Sequence, residues 1–314
     1  MHPGPNRRPA STEFRLSSPH ARLTEGLLRT LARVPLPVLH RLGNGLGRLA
    51  DLVPNEARHI ARVNMELAFP EQPQGWRRRM ARRSLQETAK TMLELGPLWY
   101  RPVPDVLRLI RSVDGEDVVD SALDRGRGML VIAPHLGAWE LLQMWLAQRT
   151  TLHALYRPPR QQALESLITR GRSRSGATFW PATPSGVRAL FKALRNGESV
   201  GVLPDQQPPE EGVFVPFFGH PAKTMTLFSK LARRSGAPVI IGWAERLPRG
   251  RGFRVHWRPV DAAVGNADAE AGAAAMNRAI EDAVRELPEQ YQWTYRRYSR
   301  RPEGERNPYK YLHG

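Results

Sequence analysis

From about residue 105 the chain alternates short apolar runs with amphipathic segments, and this alternation constrains its fold more than any other feature. "GRGMLVIAPH" is a glycine turn followed by the unbroken apolar run Met129 to Ala133, the mark of a buried strand. "WELLQMWLAQR" follows as a helix, "LHALYR" as a short strand, and "QALESLITRGRSRSG" as a helix with a glycine stop. "SGVRALFKALRNGES" is a helix closed by Asn196-Gly197, "SVGVLPD" a strand, and "TMTLFSKLARRSG" a helix. "APVIIGWAERL" and "GFRVHWRPV" read as strands, and "AEAGAAAMNRAIEDAVREL" as a helix ending before Pro288. Strands alternating with helices predict an α/β fold with a mostly parallel central sheet flanked by helices. Sites in such sheets lie outside the carboxyl ends of the strands. Both "VIAPH" and "VGVLPD" place a polar residue there, directly after a proline.

The N-terminal part has a different texture. Residues 1–20 are rich in Pro, Ser and Arg and are expected to be a disordered tail. Residues 21–100 form a helical region ahead of a second unit over 101–314. "EARHIARVNMELAF" repeats apolar residues at Ile60, Val63, Leu67 and Ala68, and "GWRRRMARRSLQETAKTMLELGPLW" begins basic and becomes apolar. A bilayer-spanning helix needs roughly 20 apolar residues. The best candidate, Leu27 to Val53, is interrupted by Arg29, Arg33, Arg41, Arg48 and Asp51. Leucine faces with arginine flanks suit amphipathic helices lying in a membrane interface, where the arginines meet anionic headgroups. The same pattern also fits a helical hairpin packed on the second unit with its arginines solvated.

Charge narrows the partners. Lys plus Arg is 47 against 30 Asp plus Glu, a net +17. Five of the 47 are lysine, so 42 are arginine, the residue that grips phosphates and carboxylates with a planar fork. Arginine codons favoured in a GC-rich genome would account for part of such a bias. The surplus calls for an acidic partner: nucleic acid, anionic lipid or an acidic protein. With no cysteine, disulfides, thiolate zinc sites and cysteine nucleophiles are excluded.

Three blocks carry chemistry. In "VIAPHLGAWEL", His135 and Glu140 are five residues apart, about 500° around a helix, so they do not share a helical face. They can meet if His135 lies in the strand-to-helix turn and Glu140 in the first helical turn. An acid that holds one ring nitrogen of His135 leaves the other to take a proton from an attacking hydroxyl. Without function, Glu140 is a first-turn acid favoured by the helix dipole and His135 a loop residue. Zinc needs three or four ligands, and His153, His220 and His256 lack paired spacing, so no metal is expected. In "LPDQQPPEEGVFVPFFG", Asp205 closes a strand and is a second candidate acid, while Phe214, Phe217 and Phe218 lie in a loop region. That loop either folds back on the core or forms the wall of an apolar ligand slot. In "PEQYQWTYRRYSRRPEG", aromatic residues interleave with Arg296, Arg297, Arg300 and Arg301. Such a block can stack single-stranded bases, grip lipid phosphates, or form a solvated basic edge.

In this order, "ARVNMELAFPE", "APHLGAWE", "ALYRPP", "PDQQ…VFVPFFG" and "PEQYQWTYRRYSRRPEG" resemble the blocks of the bacterial lipid A biosynthesis acyltransferase family, of the late lauroyl/myristoyl type, from about Leu31 to Gly304. The resemblance implies a glycerolipid-acyltransferase-like fold, with 21–100 the membrane-associating region and 101–314 the acyltransferase domain. It implies transfer of an acyl chain from acyl carrier protein to a hydroxyl of an anionic lipid A precursor, without a cofactor. In that scheme His135 is the general base, and Glu140 or Asp205 its acid partner. Arg157 contacts phosphate or oxyanion, and Gln206 contacts substrate. Phe217, Phe218 and Gly219 shape the acyl slot, and Arg296 and Arg297 bind acceptor phosphate or carrier protein. The implied place is the cytoplasmic face of the bacterial inner membrane, peripheral or monotopic. The chain departs from the family's usual Asn-Pro pair at Arg160-Gln161-Gln162-Ala163, which bears on donor or acceptor preference. Another glycolipid acceptor is the nearest alternative. Nucleic acid is not expected as a partner, since no helix-turn-helix, zinc-finger or RNA-binding-sheet signature appears.

Overall fold

The structure of the chain, a computed structural model, describes residues 19–157, 162–209 and 211–310. Residues 1–18 of the expected tail and the Arg160-Gln161 departure lie outside the described residues.

Four helices come first: α1 (Pro19–Arg33), α2 (Leu36–Leu52), α3 (Glu56–Ala68) and α4 (Gln74–Tyr100). Local chemistry sets their ends. Pro35 precedes α2, the Asn55 side chain accepts from the Arg58 N–H at 2.9 Å to cap α3, and Pro73 precedes α4. Arg101 donates to carbonyls at the end of α1 and just after it, Ala32 O and Val34 O, both at 2.7 Å. The outer faces of α1 and α2 leave Leu23, Leu27, Leu42, Leu46, Leu49 and Leu52 exposed. Among the described residues, no helix is long and apolar enough to cross a membrane.

The remainder alternates as expected. In chain order it runs α5 (Val103–Leu107), β1 (Ile110–Asp114), α6 (Glu116–Leu123), β2 (Leu130–Ile132), α7 (Trp139–Leu146) and β3 (Leu152–Tyr156). Then come α8 (Gln162–Ser173), β4 (Thr178–Pro181), α9 (Pro184–Arg195), β5 (Ser199–Val202), β6 (Val213–Phe217) and β7 (His220–Thr224). The last are α10 (Leu227–Ser235), β8 (Val239–Arg246), β9 (Phe253–Pro259) and α11 (Ala269–Glu286). Seven strands form one sheet in the order β1-β9-β8-β2-β5-β3-β4. All neighbours are parallel except β8 and β9, which form an antiparallel pair. The fold is thus α/β with a mostly parallel sheet covered by helices.

The unbroken apolar runs reflect burial on both sheet faces. Leu130 and Ile132 of β2 join a core with Ile60, Met65, Phe217, Phe228 and Trp243. Met129, Val131 and Ala133 point to the other core, with Trp99, Leu141, Trp145 and Trp257. The N-terminal helices contribute to both: α3 supplies Ile60 and Met65 to the first, and α4 supplies Leu98 and Trp99 to the second.

The segment read as an aromatic loop is instead a two-stranded antiparallel hairpin, β6–β7. Phe217 pairs with His220, so the turn between them is Phe218-Gly219. Both turn residues have positive φ, 47° and 75°, as a two-residue hairpin turn matched to strand twist requires. Phenylalanine is uncommon there, and no Asn-Gly or Asp-Gly marks the turn in the sequence. The short strands β1 and β4, at the sheet's two edges, were also not legible: "IRSVD" has little apolar signal and "TFWP" ends in proline.

Candidate active site

The parallel pair β2–β5 builds the centre. Its register sets Ile132 against Val202, and the Ala133 N–H donates to Val202 O at 2.9 Å. Each strand then runs through one residue and a proline to its polar residue, so His135 and Asp205 meet at adjacent carboxyl ends. The Asp205 carboxylate accepts from the His135 backbone N–H at 2.9 Å, and its other oxygen lies 2.8 Å from His135 Nδ1. Burial of Asp205 would push its carboxyl up; the His135 ring and the hydrogen bonds from ring and backbone N–H outweigh this and hold it below the usual range. The ionised carboxylate therefore fixes the proton on Nδ1 and leaves Nε2 as an acceptor. Tyr291 sits beside the same carboxylate; burial, and then the charge of Asp205, push its hydroxyl well up, so it stays a neutral donor.

The turn after His135 is held on two sides. The Gly137 N–H donates to Gln290 O at 3.0 Å, and the Ala138 N–H to Ala244 O at 2.8 Å. Gly137 has φ 61°, and a Cβ there would stand 2.0 Å from Ala244 O, so only glycine lets the turn meet β8. The Gln292 N–H donates to His135 O at 3.0 Å. Trp139 meets the His135 ring edge-on, with centroids 4.9 Å apart. His135 Nε2 faces the Gln206 amide nitrogen at 3.3 Å, and that nitrogen donates to Gln292 Oε1 at 3.1 Å.

Glu140 occupies the first turn of α7, yet it serves another residue. Its buried carboxylate accepts from Arg172 Nε at 3.0 and 3.2 Å and from Arg172 Nη2, with further bonds from Gln143 at 3.0 Å and Trp99 Nε1 at 3.3 Å. The structure therefore pairs Asp205, not Glu140, with His135.

The remaining sequence candidates divide. Arg157 is exposed at the end of β3, and its charge acts on the Tyr295 hydroxyl, which accepts from the Gln207 N–H at 2.9 Å. Arg296 is exposed and paired with Glu56 at 2.9 Å. Arg297 was expected to grip an anion, but it is buried: it donates to Lys223 O at 2.6 Å and Thr224 Oγ1 at 2.8 Å, and lies 5.2 Å from the Phe217 ring centroid. It ties the hairpin to the C-terminal block. Phe217 and Phe218, expected to line a slot, are packed in the core, where the Phe218 ring meets Phe69 at a tilt at 5.3 Å and Phe217 and Trp293 edge-on at 5.0 and 5.6 Å. Gly219 serves the turn. The aromatic cover that an exposed loop would lack is supplied by the hairpin's own fold-back. Sequence reasoning passed over Arg172, Tyr291 and Gln292; the last two lie inside the quoted "PEQYQW", where the surrounding arginines drew attention instead.

Comparison with known proteins gives a consistent result. A family model described as bacterial lipid A biosynthesis acyltransferase matches residues 10–300. The chain is similar to the lipid A biosynthesis lauroyltransferase of Escherichia coli (strain K12), with 33% identity over 281 residues, 89% of this chain and 91% of that protein. It is similar to the lipid A biosynthesis palmitoleoyltransferase of the same strain, with 32% identity over 286 residues, 90% of this chain and 92% of that protein. The lipid A biosynthesis myristoyltransferase of that strain is 25% identical over 293 residues, 91% of this chain and 87% of that protein.

Proposed function

The chain belongs to the bacterial lipid A biosynthesis acyltransferase family, and from that premise we propose that it moves a fatty acyl chain from acyl carrier protein to a hydroxyl of a lipid A precursor, with His135 as general base. The observation that carries this reading is the His135–Asp205 pair, with Nδ1 bound to a buried carboxylate and Nε2 left to accept.

The geometry supports a direct transfer. Nε2 takes the proton of the acceptor hydroxyl, and the oxygen attacks the thioester carbonyl carbon. A new C–O bond forms as the carbonyl electron pair moves to oxygen. Collapse breaks the C–S bond, and the leaving thiolate takes the proton from the imidazolium, so an ester and a free thiol result. Asp205 fixes the ring and stabilises the transient cation.

Charge and exposure support the choice of partners. A net +17 suits an acidic carrier protein and a phosphate-bearing acceptor. Arg157 is an exposed cation whose charge reaches the Tyr295 hydroxyl, and it contacts acceptor phosphate or the reacting carbonyl. The protein docks peripherally on the cytoplasmic face of the inner membrane through the exposed leucines of α1 and α2, among which Arg41 and Arg48 are also exposed.

The test is transfer from an acyl carrier protein thioester to a purified lipid A precursor, followed by mass spectrometry. Wild-type protein adds one acyl chain; His135→Ala, shown to be folded, adds none. A folded His135→Ala that transfers at the wild-type rate removes His135 as base, and a wild-type protein that acylates only another glycolipid moves the acceptor.

A further inference from the structure

We propose that Gln206 donates a hydrogen bond to the oxyanion that forms on the thioester carbonyl, and that Gln292 is the residue that positions it. This rests on the reading of His135 as base.

Acyl transfer through a tetrahedral intermediate needs donors aimed at the new negative oxygen. The first place to look is the main chain of the turn beside the base, and its N–H groups are already used. His135 N–H donates to Asp205 at 2.9 Å, Leu136 N–H to Pro134 O at 2.6 Å, Gly137 N–H to Gln290 O at 3.0 Å and Ala138 N–H to Ala244 O at 2.8 Å. On the other strand end, the Gln207 N–H is taken by the Tyr295 hydroxyl. Two buried or half-buried arginines are committed as well, Arg172 to Glu140 and Arg297 to the hairpin. A side chain that reaches Nε2 can supply the donor, beside the exposed Arg157 already proposed to contact the acceptor phosphate or the reacting carbonyl.

Gln206 meets that requirement. A primary amide carries two N–H groups. One is fixed on Gln292 Oε1 at 3.1 Å, and the other is directed at His135 Nε2, 3.3 Å away. Gln292 is anchored in turn, because its backbone N–H holds His135 O. The Gln206 amide therefore sits on the lone pair that the acceptor hydroxyl needs. When the hydroxyl arrives, it takes that lone pair and frees one N–H of Gln206. The amide stays tethered by Gln292 beside the attacking oxygen. The carbonyl under attack is bonded to that oxygen in the intermediate, so its oxyanion forms within reach of the freed N–H. The donor is preorganised and made available only when the acceptor is seated.

The experiment compares four variants in the transfer assay, each checked by circular dichroism and thermal melting. Gln206→Leu keeps the bulk and removes the donor; its kcat is expected to fall on the order of 10²–10³-fold, with the acceptor KM little changed. Gln206→Asn retains an amide but withdraws it, and loses kcat in the same sense. Gln292→Leu misplaces the amide and slows kcat on the order of tenfold to a hundredfold. Gln292→Glu keeps an acceptor oxygen for the Gln206 N–H and recovers most of that rate. A rise in KM alone for Gln206→Leu, or a Gln292→Glu as slow as Gln292→Leu, overturns the assignment. His135→Ala is run alongside. If it keeps full rate, the base reading falls; if it is inactive while Gln206→Leu is fast, only the role of Gln206 falls.

Discussion

Arg172 Nε lies 3.0 Å from Glu140 Oε1, and this pairing separates the two acids that the sequence left in competition for His135. The guanidinium reaches both Glu140 oxygens, while Trp99 and Gln143 donate to the same carboxylate. Glu140 thus joins α7, α8 and α4, and Asp205 alone of the two faces the imidazole.

Asp205→Asn and Glu140→Gln should accordingly fail in different ways. Asparagine can hold the wrong tautomer of His135, and kcat is expected to fall by about 10²–10⁴-fold while the fold survives. Glu140→Gln weakens charge-assisted hydrogen bonds worth roughly 2 kcal/mol and lowers the melting temperature, with less effect on rate per folded molecule. Paired melts and single-turnover rates distinguish the two. A stable but inactive Glu140→Gln would return the motif glutamate to the chemistry.

Acid sensitivity follows from two carboxyls. Burial pushes Asp205 and Glu94 up; opposing charge, His135 for the first and Arg246 then His40 for the second, wins and holds both below the usual range. A carboxyl depressed on folding stabilises fully above its unfolded pKa, about 4, and that contribution is lost as pH falls through the folded value. Stability contributed by this pair should be flat from pH 7 to about pH 5 and fall below about pH 4. Melting temperature against pH measures it, and Asp205→Asn should show a shallower acid limb. An unchanged limb would mean that Asp205 is not depressed.

The same Glu94 anchors the helices to the sheet. Arg246, at the end of β8, donates to it at 2.8 and 3.0 Å, and His40 of α2 lies 2.7 Å away, with Glu94 1% and Arg246 3% exposed. Arg246→Met strands a buried carboxylate and should cost about 3–5 kcal/mol in urea unfolding. Adding Glu94→Leu should recover part of that, since the lone charge is gone. A double variant as unstable as the single one would show packing, not charge, to be the cause.

How much of this was readable from sequence depends on the length scale of the signal. The β2 and β5 runs are local patterns of apolar residues buried on both faces, so the sheet and its site-bearing ends were legible. That His135 and Asp205 share one edge follows from strand order and parallel pairing. What could not be read is pairing across long separations. The Arg172–Glu140 and Gln206–Gln292 contacts join residues 32 and 86 positions apart. Arg297 looked like a surface cation because its neighbours are arginines, and only the hairpin's fold-back buries it. Phe218 in a positive-φ turn breaks the usual turn chemistry, so the hairpin read as a loop.

The backbone demand of that turn is measurable. Gly219 has φ 75° with nothing within 4 Å of a built Cβ, so Gly219→Ala meets no clash and isolates the backbone term. It should cost roughly 1 kcal/mol in the denaturant midpoint, with rate per folded molecule preserved. A large activity loss in folded Gly219→Ala would instead place the turn in acyl-chain binding.

Membrane docking can be tested apart from catalysis. Leu42, Leu46 and Leu49 of α2 are 50%, 52% and 58% exposed and recur at helical spacing on one face. Exposed leucines on one stripe gain nothing from the fold, so replacing all three by serine should leave the melting temperature nearly unchanged. Losing half the burial of three leucines at an interface weakens binding by about 2–4 kcal/mol, so sedimentation with anionic vesicles should fall at least about tenfold. Added salt should weaken wild-type binding too, because Arg41 and Arg48 contribute screened attraction. Transfer to a short-chain, detergent-soluble acceptor should persist in the triple variant, since these leucines are remote from the His135–Asp205 chemistry in sequence and in role. Wild-type sedimentation by the triple variant would move the docking face elsewhere on the protein.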